Sequence, residues 1–99
     1  MTRIIGPIDI DERKPVVFPF ARALGSATIG TCVVTCEAVS GVDAAASTRL
    51  IGEPVIAGSN VTQWVAGCLV GVTYKLRAKA TDSAGGVHVC AYTLPAVRL

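Results

Sequence analysis

Over residues 74–81 the apolar side chains fall on every second position. Tyr74, Leu76, Ala78 and Ala80 alternate with Lys75, Arg77, Lys79 and Thr81. A helix would scatter these residues around its circumference. A strand sorts them onto two faces, one oily and one wet. A sheet with one wet face is usually antiparallel. This stretch therefore demands a second layer for its apolar face to pack against, and the neighbouring sequence supplies one. Short β-rich segments recur along the chain, separated by turn signals such as Gly25-Ser26, Gly58-Ser59-Asn60 and the loop 82–86. No amphipathic helical period of any length interrupts them. About seven short strands at roughly ten-residue spacing predict an all-β, antiparallel sandwich of two sheets.

Several segments carry more specific expectations. Residues 16–21 place Val16, Phe18 and Phe20 on one face, and Pro19, which has no N–H to give a ladder, puts that strand on an edge. Residues 27–39 are rich in β-branched side chains, with Cys32, Val34 and Cys36 on one face and Val33, Thr35 and Glu37 on the other. Residues 40–48 read as a loop, residues 49–57 as a short strand interrupted by Gly52 and Pro54, and residues 61–65 as the strand carrying the single Trp64. A corner, residues 66–73, leads into the Tyr74 strand, and residues 87–94 form the last strand, ended by Pro95. A Tyr opening the penultimate strand just after a Gly-containing corner is where immunoglobulin-like sandwiches place their tyrosine corner, with the ring buried and the hydroxyl bonded to nearby backbone. Tyr74, Trp64, Gly71 and Leu76 are accordingly expected to form the corner and its core. All five aromatics are expected at core positions.

Residues 1–14 read as an extended N-terminal arm preceding a domain at 15–99. Ile4, Ile5, Ile8 and Ile10 are candidate anchors with which that arm would dock on a partner, the alternative being a frayed terminus. Apolar residues make up 52% of the chain and charged residues 16%. So few charges cannot cover the outside of a 99-residue domain, so apolar surface is expected to meet a partner. A net charge of +2 without a concentrated basic footprint argues against nucleic acid, and Lys75, Arg77 and Lys79 are expected to be a solvated strand face. No apolar run approaches a membrane span, and residues 1–11 lack the apolar core of a secretory signal. Synthesis in the cytoplasm, with reduced thiols, is the resulting expectation.

No catalytic, cofactor-binding or metal site is expected. Cys32 and Cys36 lie about 13 Å apart along one strand, beyond the roughly 7 Å a disulfide spans. Bridges from Cys36 to Cys68 or Cys90 stay geometrically open, but each thiol is expected to serve as a small buried hydrophobe. A C-x3-C pair with one His88 falls short of a zinc set. His88 and Cys90 share a strand face, without an orienting partner that would make them a nucleophile and base.

The order of these elements resembles a known family. The run FPFARALGSATI, the corner TQWVAGCLVGVTYKLRAKATDSAGG and the ending at Leu94-Pro95-Ala96-Val97 are similar to fiber-tail adaptor proteins of tailed bacteriophages, small immunoglobulin-like virion components. Trp64, Gly67, Gly71, Thr73, Tyr74 and Leu76 fill that family's corner pattern, and residues 16–97 are covered. Val34 stands where the family usually has an early Trp, and one residue separates Pro95 from Val97 where the family ends L-P-V. The resemblance implies a non-enzymatic structural protein residing in the virion and assembled in the host cytoplasm. Its partners would be other virion proteins of the tail, neck, portal region or fibre, with several copies in a ring. No small-molecule substrate, nucleic acid or membrane is implied. Two other functions suit the same fold: a capsid decoration protein, and a carbohydrate- or cell-surface-binding module using Trp64 as a platform.

Overall fold

The computed structural model describes the backbone of residues 2–4 and all atoms of residues 6–99. In chain order the elements are β1 (Thr2–Ile4), β2 (Ile8–Asp9), β3 (Arg13–Pro19), a helical turn α1 (Ala21–Leu24), β4 (Ile29–Ser40), a 3-10 turn (Ala46–Arg49), β5 (Leu50–Ala57), β6 (Asn60–Ala66), β7 (Thr73–Asp82) and β8 (Val87–Val97). They make two sheets. One has the order β1-β8-β7-β4, with β2 also on β8; the other has the order β3-β6-β5. The all-β expectation holds.

The alternation that opened the sequence reading builds the core. Tyr74, Leu76, Ala78 and Ala80 are completely buried, while Arg77 and Lys79 are exposed. Small alanines on β7 sit beside Cys90 and His88 on β8 and Cys32 and Val34 on β4. From the opposite sheet, Phe18, Val61 and Val65 enter the same core, and the Phe18 and Tyr92 rings meet with centroids 5.2 Å apart. Burying each large apolar side chain contributes roughly 1.5–3 kcal/mol, so this shared layer is what holds the sheets together.

Among the described strands β3 pairs with β6 alone, so Pro15 and Pro19 lie on an edge, where a missing N–H is tolerated. Gly52 and Pro54 fall at the irregularity between Ile51 and Val55, which bends β5 without ending it. β8 continues through Pro95 to Val97, beyond the expected stop. Pro95 occupies the last rung opposite Thr73, and Ala96 N–H then bonds Val72 C=O, so the ladder does not need the donor that proline lacks.

The N-terminal arm is corrected more substantially. β1 and β2 lie parallel to β8 of the same chain, pairing Thr2 with Ala91 and Ile8 with Ala96. Ile8 is 1% exposed and belongs to the chain's own core, so it is not a partner anchor. Burial of a large apolar side chain on the nearest open strand edge outcompetes holding it out for a neighbour. Ile10 is half-buried and its N–H bonds Val97 C=O. Ile5 and the side chain of Ile4 lie outside the described residues. β3 begins at Arg13.

Candidate functional site

The densest polar cluster forms where the corner before β7 meets the loop after β4. Gly71 turns the chain with φ of +81°, a backbone region that penalises any side chain, and its N–H bonds Ala96 C=O. Gly41 approaches so closely that a Cβ there would sit 3.0 Å from the Gly71 carbonyl oxygen. The two glycines thus let two loops touch. Into that contact projects the Tyr74 hydroxyl, which accepts from Leu69 N–H at 2.9 Å and donates to Asp43 Oδ2 at 2.6 Å. The expected bond from phenol to corner backbone is present, and a carboxylate from the other loop completes it.

Asp43 is satisfied on both oxygens. Arg49 reaches it through Nε at 2.9 Å and Nη2 at 3.2 Å, and Ala45 N–H bonds Oδ1 at 3.0 Å. The Arg49 guanidinium, followed by the Tyr74 hydroxyl, holds the Asp43 carboxyl down to about 2. Burial, followed by the bond to Asp43, pushes the Tyr74 phenol up from its ordinary value. The bidentate fork fixes the orientation of the loop, a use to which the planar guanidinium is well suited. No buried side-chain nitrogen or oxygen among the described residues is left without a hydrogen-bond partner. The cluster is a latch between loops.

Asp43 and Arg49 are absent from the sequence-based set. Their six-residue separation across an irregular loop follows no period, and only the buried Tyr74 hydroxyl, which must find a partner, hinted that something polar would arrive. Gln63 was missed similarly. It is 1% exposed on β6, and its Nε2 donates to the carbonyls of Ile51, Gly52 and Trp64 at 3.0–3.2 Å. It thereby satisfies the carbonyls at the β5 irregularity.

Trp64 is not in the core. It is 39% exposed on the outer face of the three-stranded sheet, in register with Pro15 and Ile51, with the Arg13 guanidinium 5.6 Å from its ring centroid. Strand alternation explains this, because Val65 and Gln63 take the inward positions on either side. Val17 and Val55 share that outer face, flanking Thr62. The outer face of the larger sheet mixes exposed Val33, Val87 and Val89 with Lys75, Arg77 and Lys79.

The four cysteines are free thiols. Cys36 and Cys68 are buried near each other under the Asp43 loop, and burial pushes the Cys36 thiol up to about 12. His88 Nε2 lies 2.8 Å from Asp82 Oδ2, so its side chain is directed to the hairpin. Asp82 also accepts Ala84 and Gly86 N–H, which shapes that turn. Among the described residues no three His, Cys, Asp or Glu side chains come together as a metal site would require.

Comparison with known proteins identifies no relative: no family model, no curated protein and no solved structure matches this chain. What the residues themselves define is an all-β chain of two sheets with a latched corner and apolar outer faces.

Proposed function

We propose that this chain is a non-enzymatic structural subunit of a tailed-bacteriophage particle, an adaptor that joins fibres to the tail or neck. The observation that carries the reading is the apolar outer surface. Twelve large hydrophobic side chains are exposed among the described residues, and strand alternation puts Val17, Val55 and Trp64 on one outer face and Val33, Val87 and Val89 on the other. An isolated soluble domain keeps such patches small, whereas a subunit that spends its life buried against neighbours needs them.

The fold reading supports this. Taking β1 and β2 together as a first strand A, then β3 to β8 as B to G, the smaller sheet is B-E-D and the larger is A-G-F-C. Setting D, E and B apart from C, F and G is what an immunoglobulin-like sandwich would do, and the Tyr74 hydroxyl bond to the corner backbone supports the same reading as a tyrosine corner. The first strand lies on G rather than on B. The sequence resemblance over residues 16–97 runs through the same corner.

Mass spectrometry of purified particles tests the reading: this chain should be found in stoichiometric amounts, and its absence from intact particles ends it. Reconstruction of the particle by cryo-electron microscopy separates an adaptor at the tail or neck from a capsid decoration protein. The second reading, a carbohydrate- or cell-surface-binding module, draws support from the exposed Trp64. Beside Arg13 and Thr62, the ring's neighbours Pro15, Ile51, Val17 and Val55 are apolar, which favours a protein surface there.

A further inference from the structure

The geometry of β4 points to a second, independent surface: we infer that two copies of this chain pair through the outer edge of β4, antiparallel about a two-fold axis at Thr35. The inference does not depend on which larger particle the chain belongs to.

β4 is the longest strand, twelve residues, and it pairs with β7 alone among the described strands. Its ladder is regular over residues 31–38, with irregularities only between Ile29 and Thr31 and between Ala38 and Ser40. Every second residue of that run turns its backbone N–H and C=O outward. Edges of this kind are normally blocked by Pro, Lys, a bulge or an inward-pointing charge. The run TCVVTCEA contains none of these. By contrast, both edges of the smaller sheet carry prolines: Pro15 and Pro19 on β3, and Pro54 on β5.

Beside the C-terminal half of this edge lies an open hollow of about 450 Å³, lined by β4 residues such as Glu37 and Ala38 and by the following loop, where Val42, Ala44 and Ala46 stand among the polar Asp43 and Ser47. A strand added along β4 would place its inward-facing side chains in that hollow. With Thr35 on the axis, those side chains are Val34 and Cys32 of the second copy, which are apolar, as are the alanines and valine of that loop.

Charge selects the occupant. β4 carries one charged residue, Glu37, so pairing with itself opposes no like charges. In this register Glu37 lies opposite Val33 of the second copy, and the next residue in that row is its Lys79. Two strand spacings, about 9.6 Å, separate the backbones, a gap that a Glu and a Lys span together. Among the described residues the side chains of Glu37 and Lys79 make no hydrogen bond or ion pair, although Lys75 stands opposite Glu37 on β7. The two-fold repeats the pair, so the interface gains two such contacts. Val33, at 62% exposure, is covered in the process.

Light scattering of the full chain against concentration should give a mass near twice 10.2 kDa. Glu37→Lys should raise the dimer dissociation constant about five- to tenfold, and Glu37→Lys with Lys79→Glu should bring it back. Residues directly opposite on antiparallel strands lie about 4.5–5.5 Å apart, within disulfide reach. Thr35→Cys should therefore form an oxidised dimer on a non-reducing gel beyond the level of the wild-type chain, whereas Val33→Cys should not. A monomer at every concentration overturns the inference. So does a dimer indifferent to Glu37→Lys, or one cross-linked by Val33→Cys rather than Thr35→Cys. The far-ultraviolet circular dichroism of each variant identifies any that fail to fold, and Thr35→Cys on the exposed face keeps the test decisive if Glu37→Lys is one of these.

Discussion

The Tyr74 hydroxyl donates to Asp43 Oδ2 at 2.6 Å across two loops that are thirty-one residues apart in sequence. The same oxygen of Tyr74 accepts Leu69 N–H, so a single phenol ties the corner before β7 to the loop after β4. Tyr74→Phe keeps the buried ring but strands the Leu69 donor and one side of the carboxylate. Leaving buried partners unmet costs about 1–3 kcal/mol, and urea unfolding should show a loss of that size with an unchanged m-value.

Acid should weaken the same latch. The Asp43 carboxyl is held at about 2 in the folded chain, below its ordinary value of 3.8. As pH falls through the interval between those values, the unfolded chain takes up a proton that the folded chain resists. Stability is therefore fully present above about pH 4 and is lost on the way to pH 2. Asp82, held low first by His88, adds to the loss in the same direction. Denaturant midpoints measured from pH 7 to pH 2 should fall for the wild type. The gap between wild type and Asp43→Asn should narrow as pH drops.

Inward and outward positions should respond unequally to truncation. Leu76 is fully buried, and Leu76→Ala should cost about 2–5 kcal/mol through lost burial and the cavity left behind. Trp64→Ala, on the outer face, should cost at most about 1 kcal/mol, roughly the value of its contact with Arg13. Trp64 emission in the free protein should be red-shifted and quenched by acrylamide. A blue-shifted, protected emission would place the ring in an interface between copies.

Thiol chemistry should follow burial. Cys36 is 8% exposed and its thiol is pushed up to about 12, so the nucleophilic thiolate is scarce at pH 8. Iodoacetamide at pH 8 should leave Cys36 unmodified in the native protein and modify it in urea, as read by peptide mass spectrometry.

The sequence by itself determined which face of β3, β4 and β7 is oily. Residues 74–81 sort by twos because a strand's side chains alternate whatever surrounds it, and Phe18, Tyr92, Leu76 and the inward thiols follow the same local rule. Tyr74 could be assigned a backbone partner because a buried hydroxyl must have one. Tertiary structure alone decided what the local rule leaves open: Trp64 is outward because Gln63 and Val65 are inward, and a single-residue register choice separates those outcomes. It also decided that Ile8 packs into its own domain, because a parallel edge on β8 lay within reach. Asp43 met Arg49 and Tyr74 only when two distant loops closed, an encounter set by the path of the chain and by no period in its residues.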